Sequence, residues 1–247
     1  MQRHLERIEW SPSIEHPPDI SSWPYTIPAV AQLIEQGGLE IPAGVTFLIG
    51  ENGSGKSTLV EAFSEIYPRR GFVNPFVSKT GPDASREDSP LRWHLRAHTH
   101  PQASPAGFFL RAEAMHGYLA GIDADPSQAR MWGGERLQER SHGESFLAVL
   151  RHRFTDIGMY FMDEPEAPLS FTSCLGLLAL LDDLRSEGSQ VLVATHSPLL
   201  IALPGATLLE IGDWGIRRAD YDQIDLVQLW RGFMDSPGMF LRHLVAE

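Results

Sequence analysis

The sequence predicts an α/β domain: a mostly parallel sheet with helices on both faces. Three observations lead there. Short, wholly apolar runs (VTFLI at 45–49, GMYFM at 158–162, QVLVA at 190–194) have strand length and the unbroken hydrophobicity of strands covered on both sides. Segments with helical spacing follow them in alternation. Finally, 247 residues with 43% hydrophobic content are enough for one such domain around a packed core.

The elements follow in chain order. The opening MQRHLERIEW has no apolar stretch of the kind a secretory signal needs. Val45 to Ile49 reads as a buried strand running into a glycine-rich turn. A helix from Lys56 to Ile66 carries Leu59, Phe63 and Ile66 on one face. From Pro68 to Gly107 the chain is rich in Pro, Ser, Gly, His and Arg, with one alternating segment, LRWHLRA, expected as an exposed strand. Gly107 to Leu110 is a further strand, a short helix is expected around Ala114 to Leu119, and 123–140 reads as polar loop. Ser141 opens a helix through Leu150. Thr172 to Glu187 is a helix that Gly188 stops, since a C-terminal cap needs positive φ. After the strand at 190–194 come a β pair (Ala206 to Ile211, Gly215 to Arg218) and one or two helices.

The expected organisation is a single domain over 1–247. Its core lobe covers about 1–68 and 151–247, with a β subdomain at the N-terminal side and a smaller, partly helical lobe inserted at about 69–150.

Composition narrows the function. A net charge of −12 argues against coating nucleic acid by bulk electrostatics. Basic residues concentrate between Arg69 and Arg111, where seven (Arg69, Arg70, Lys79, Arg86, Arg92, Arg96, Arg111) face three acids, a local surface for DNA or a partner or simply a solvated loop. The longest apolar run, Cys174 to Leu181, is far short of the ~20 residues that cross a bilayer. One cysteine, expected as a buried helix residue, fits a reducing cytoplasm. Only Lys56 and Lys79 are lysines, which sharpens attention on Lys56.

Lys56 lies in GENGSGKST, where Gly50, Gly55, Lys56 and Ser57 satisfy G-x-x-x-x-G-K-[ST] between a predicted strand and a predicted helix. Glycines let successive backbone N–H groups of Gly50, Asn52, Gly53, Ser54 and Gly55 point into one anion-sized hollow. The helix N-terminus adds partial positive charge to the same phosphates. Lys56 is placed for the β- and γ-phosphates, Ser57 for Mg²⁺, and Thr58 completes the loop. A second motif, MYFMDEPE, ends a hydrophobic strand in Asp163, suited to hold Mg²⁺, and Glu164, suited to polarise a water for attack on the γ-phosphate. In a third, VATHSP, His196 follows another buried strand, where an imidazole can bond a γ-phosphate oxygen or the attacking water.

With these motifs the chain resembles the ABC-type P-loop ATPases, the superfamily of transporter nucleotide-binding subunits and of SMC- and RecF-like ATPases. The resemblance implies a RecA-like core, ATP and Mg²⁺ as ligands, and hydrolysis of ATP with Glu164 and His196 catalytic. It extends to RSHGES: Ser141, His142, Gly143 and Glu144 match the S-G-G-E of the family signature, with His142 replacing the first glycine. In the family this segment reaches ATP held by the opposite subunit, which implies a homodimer in the ATP state. EAPLS, Glu166 to Ser170, corresponds to the D-loop of that interface.

Two features depart from transporter subunits. No glutamine loop is unambiguous: Gln102 lies in a Pro-rich stretch, whereas FFLRAE puts Arg111 and Glu113 after a strand, as in small stand-alone ABC-like "AAA family" ATPases. Trp23 and Tyr25 are the upstream aromatics available for stacking on adenine, and core packing is the other reading of both. Only 83 positions separate Thr58 from Ser141, too few for long coiled-coil arms. The expected role is therefore a head without arms, acting in the cytoplasm with a nucleic-acid-processing or defence partner such as a nuclease. The alternative is the ATP-binding subunit of a membrane transporter, with a permease as partner. A kinase would share the P-loop but has no reason to carry the other motifs. His94, His98 and His100 have spacings that permit a zinc reading, without a thiolate or clear fourth ligand.

Overall fold

The computed structural model describes residues 3–68, 89–113 and 142–242. In order, its elements are β1 (Leu5–Trp10), α1 (Pro28–Glu35), β2 (Gly38–Glu40), β3 (Val45–Ile49), α2 (Lys56–Ile66), β4 (Leu95–Thr99), β5 (Gly107–Arg111), α3 (His142–Arg153), β6 (Met159–Asp163), α4 (Phe171–Glu187), β7 (Gln190–Thr195), β8 (Thr207–Gly212), β9 (Gly215–Arg218), α5 (Asp225–Asp235) and α6 (Pro237–Leu241).

The main sheet has the order β5–β6–β7–β3–β8–β9, parallel throughout except for β9, which returns antiparallel to β8. The apolar runs are wholly buried because alternate residues serve opposite faces. Phe47, Phe108, Tyr160, Met162 and Val193 point to one core, closed by Phe146 and Leu150 of α3 and Leu177 and Leu181 of α4. Leu48, Phe109, Phe161 and Leu192 point to the other, closed by Leu33 of α1 and Leu59 and Phe63 of α2. Burial stabilises by about 1.5–3 kcal/mol for each large side chain.

A second, antiparallel sheet, β2–β1–β4, forms the β subdomain on the N-terminal side. Gln190 at the start of β7 ties it to the main sheet. Its Oε1 accepts from the backbone N–H groups of His4 and Leu5, and its Nε2 donates to the carbonyls of Leu5 and Pro42. The stop of α4 is as expected: Gly188 has φ +103°. Ser170 caps the other end by accepting from the Ser173 N–H at 3.2 Å.

Several expectations need correction. The inserted lobe does not run unbroken over 69–150. Within 89–113, β4 completes the N-terminal sheet and β5 forms the edge of the main sheet, so the core reclaims these residues. LRWHLRA is not one strand: Pro90–Trp93 makes a 3₁₀ turn, which suits a proline at its first position, and β4 begins at Leu95. The helix expected near 114–119, the loop at 123–140 and the basic residues Arg69, Arg70, Lys79 and Arg86 lie outside the described residues. The three histidines each have their own partners. His94 is buried against Trp10 and Tyr25, His98 pairs with Glu9, and His100 accepts from the Gln102 N–H. Among the described residues no group of three or more His, Cys, Asp or Glu is arranged for a metal ion.

Candidate active site

The loop Gly50–Gly55 joins β3 to α2, and two of its glycines are required for different reasons. A side chain on Gly50 would put Cβ 2.4 Å from the carbonyl oxygen of Ile211, so the loop can lie against β8 only without one. Gly55 caps α2 with φ +100°, a conformation that L side chains rarely adopt. Asn52 and Gly53 are exposed at the crest. The hydroxyl of Ser54 is sealed from solvent and has no hydrogen-bond partner, a vacant polar group of the kind a phosphate oxygen satisfies. The first turn of α2, Lys56, Ser57 and Thr58, contains no acid, so its N–H groups and partial positive charge are uncompensated.

Lys56 is buried and its ammonium donates to the carbonyl oxygens of Gly50 and Glu51 at 2.7 and 2.8 Å. Burial pushes its pKa down, and the carboxylates of Glu164, Asp163, Glu166 and Glu51 oppose that shift. The Ser57 hydroxyl donates to Asp163 Oδ1 at 2.8 Å. Asp163 ends β6 and is pushed above the usual carboxylate range, chiefly by burial. The Ser57 hydrogen bond and the Arg111 charge act in the other direction. These two oxygens fit Mg²⁺, which takes one or two protein ligands and completes its shell from phosphates and water.

Glu164 is the only non-glycine residue with positive φ among the described residues, at +49°. Its N–H donates to the Ala194 carbonyl of β7 at 2.9 Å, and this turn lifts its carboxylate off the strand axis. His196, half exposed just past β7, places Nδ1 3.4 Å from Glu164 Oε1. Thus Lys56 and Ser57, Asp163 and Glu164, and His196 meet at the carboxyl ends of three neighbouring parallel strands, where α/β sheets bind ligands.

Three further residues join the site: Arg111, Glu61 and Glu166. Arg111 stands in register with Asp163 on the adjoining strand. Its guanidinium is 3.6 Å from Asp163 Oδ2 and 2.8 Å from Glu61. It is therefore the residue beside Asp163, the candidate metal carboxylate. Glu61 follows Ser57 by four positions on α2, a spacing that puts both on one helix face and was readable. Glu166 was assigned to the interface loop, but its side chain is buried and turned toward β7: Oε1 accepts from the Thr195 hydroxyl and from the His196 N–H.

The signature segment is placed in part. Ser141 lies outside the described residues, whereas His142, Gly143 and Glu144 form the first turn of α3. Gly143 is buried against α4, where a Cβ would come within 2.7 Å of Ser173 Oγ. The stacking candidates separate. Tyr25 is core, packed edge-on to Trp10, which is the core reading of the two that its sequence offered. Trp23 is 65% exposed and lines a cavity of about 590 Å³ together with Ser57, Glu61, Arg111 and Asp163. On the other side of the P-loop, Trp214 lines a cavity of about 430 Å³ with Gly50–Ser54 and Leu229.

No protein-family model matches the chain. It is 31% identical over 190 residues to the ribose import ATP-binding protein RbsA of Roseobacter denitrificans, covering 69% of this chain and 37% of that protein. To the manganese transport system ATP-binding protein MntA of Synechocystis sp. it is 26% identical over 176 residues, 63% of this chain and 65% of the relative. The chain thus spans little more than a third of the RbsA length. Among solved structures, a metal-chelate type ABC transporter in an inward-facing conformation superposes with a TM-score of 0.52 at 13% identity, over 94% of this chain and 90% of that one. The fold is that of an ABC-type P-loop ATPase. Both relatives are named as ATP-binding proteins. Within the ABC-type fold, no described helix is long and apolar enough to cross a membrane.

Proposed function

We propose that this chain binds Mg²⁺–ATP, hydrolyses it to ADP and phosphate, and works as a switch whose ATP state is a head-to-tail homodimer. The observation that carries the reading is the convergence of Lys56, Ser57, Asp163, Glu164 and His196 beside a phosphate-sized loop. The N–H groups of Gly50–Gly55 and the Lys56 ammonium hold the β- and γ-phosphates. Ser57 Oγ and the Asp163 carboxylate would hold Mg²⁺, which would supply positive charge to offset that of the phosphates. Glu164 takes a proton from water as the water oxygen bonds to the γ-phosphorus. The bond from that phosphorus to the β–γ bridging oxygen breaks, and the electron pair leaves on ADP. His196 hydrogen-bonds the γ-phosphate or the attacking water. Ser141, His142, Gly143 and Glu144 meet the γ-phosphate on a second copy, across a two-fold interface.

The test combines base and interface. Glu164→Gln keeps shape and hydrogen bonding but removes the charge, so ATP binds without cleavage, and light scattering then finds a dimer with Mg²⁺–ATP and a monomer with ADP. Adding Ser141→Arg abolishes that dimer while P-loop binding persists. A dimer indifferent to Ser141→Arg, or one independent of ATP, overturns the shared site.

For the coupled partner two readings have support. Arg111 beside Asp163, in the FFLRAE stretch that resembles small stand-alone ABC-like ATPases, supports a head acting with a nuclease or DNA-processing partner. The names of the relatives support a membrane permease instead. The Glu164→Gln protein held with Mg²⁺–ATP is the probe. Recovery with a nuclease from native extract favours the first, and flotation with membranes favours the second.

A further inference from the structure

We propose that Glu166 is a positioning residue for His196, holding the end of β7 so that the imidazole faces Glu164; the proposal rests on the ATPase reading above. Four observations carry it. The Glu166 side chain is only 7% exposed, although a carboxylate is among the side chains least often buried unless paired. One oxygen, Oε1, accepts both the Thr195 O–H and the His196 N–H, the latter at 3.0 Å, and lies 3.8 Å from His196 Nδ1. The Thr195 hydroxyl, having donated to Glu166, accepts the Ser197 N–H at 3.0 Å, so the turn on both sides of His196 hangs from one carboxylate. The other oxygen, Oε2, is buried with no hydrogen-bond partner.

An unpartnered buried carboxylate oxygen destabilises a fold by a kilocalorie or more, roughly. A serine or threonine would cap one donor without it. What the carboxylate adds is a fixed anchor for two donors from adjacent residues, at the point where the chain leaves β7 and the histidine must face across to β6. Glu164 shares this frame, since its N–H is held by the carbonyl of Ala194, the residue before Thr195. Residues 164 and 196 are therefore aligned by a pair of cross-strand ties, one backbone and one through Glu166. With the Glu166 tie cut, the backbone after Thr195 is free to swing, while Lys56 of the P-loop loses one of its four neighbouring carboxylate charges but keeps its two hydrogen bonds to loop carbonyls.

The experiment is a double-variant cycle in the full chain. Glu166→Ala is expected to lower kcat by about 10- to 100-fold with KM for ATP changed less than about 3-fold. Glu166→Gln keeps an acceptor and recovers most of that loss. In a His196→Ala background Glu166→Ala has no further effect, because the two act as one unit. Thr195→Val removes one of the two donors and serves as the second probe should Glu166→Ala fail to fold. Full kcat in Glu166→Ala, additive losses with His196→Ala, or no recovery by glutamine overturns the proposal. Should the wild-type chain turn over no ATP, the ATPase reading falls by itself. Glu166 is then judged from the imidazole NMR signal of His196, assigned by its loss in His196→Ala. A signal unmoved by Glu166→Ala overturns the proposal, and one shifted or broadened upholds the anchoring role.

Discussion

The P-loop and the corner between β6 and β7 face each other across the same cleft, yet they are built on different principles. The P-loop is made by consecutive residues, and its chemistry lies in backbone N–H groups, one lysine and a helix terminus. The corner is made by residues more than thirty positions apart, brought together by strand pairing in which Asp163 stands opposite Ala194. A contiguous site is specified by local sequence. A site assembled across strands needs extra ties, such as the Glu166 carboxylate, which no local rule announces.

The sharpest way to break this comparison is at Lys56. Lys56→Ala removes the only basic side chain of the P-loop, the one proposed to hold the phosphates, and Mg²⁺–ATP affinity is expected to fall by at least about 100-fold in calorimetry. The fold should survive, since the ammonium bonds only two loop carbonyls. Undiminished affinity would mean that the loop binds no triphosphate. The corner responds in the opposite sense. His196→Ala is expected to reduce kcat by about 100-fold with ATP affinity little changed, because its observed partner is Glu164, the proposed base. Equal losses in both parameters would make His196 a binding residue and erase the distinction between the two regions.

The same division governs what could be read in advance. β3, α2, β6, α4 and β7 were legible because apolar runs, helical spacing and a stopping glycine are local signals, and the parallel core followed from their alternation. The P-loop and Asp163, Glu164 and His196 came with them, since each sits where a legible strand ends. What escaped depended on pairing. β1 and β2 are short, partly exposed strands with no repeat to announce them. Gly107–Leu110 is legible as a strand, but nothing in its sequence says that it extends to Arg111, pairs with β6 and sets Arg111 beside Asp163. Tyr25 and Trp23 are two positions apart, and only tertiary packing sends one into the core and the other to the cleft.

A smaller effect tests whether the P-loop is also a structural element. Gly55 has positive φ, and a Cβ there would lie 2.6 Å from Ile27 Cγ2. Gly55→Ala is expected to destabilise the nucleotide-free protein by about 1–3 kcal/mol, from backbone strain plus the displacement of Ile27. Thermal unfolding measures it. An unchanged melting temperature would show that the loop relaxes freely and that its shape is set by the ligand.

The smallest effect, and the one with an unexpected sign, is at Asp163. Burial holds this carboxyl above its ordinary range more strongly than Ser57 and Arg111 pull it down. A carboxyl that binds its proton more tightly in the folded chain supports stability below its unfolded pKa, and that support is lost as pH rises through the folded value. At neutral pH the ionised group therefore strains the nucleotide-free fold. Asp163→Asn removes the charge while its amide oxygen still accepts from Ser57, and Arg111 keeps Glu61 at 2.8 Å. The variant should be more stable than the wild type at pH 7. The gain should shrink as pH falls through the carboxylate range, where the native group is already neutral. Hydrolysis should be lost, and the rise in melting temperature expected of the wild type with Mg²⁺–ATP should be absent. A melting temperature below wild type at pH 7 would show that the Arg111 attraction exceeds the penalty of burial. The metal end of the corner would then be an ion pair that stabilises the fold, with the cleft no longer a region where stability is given up for chemistry.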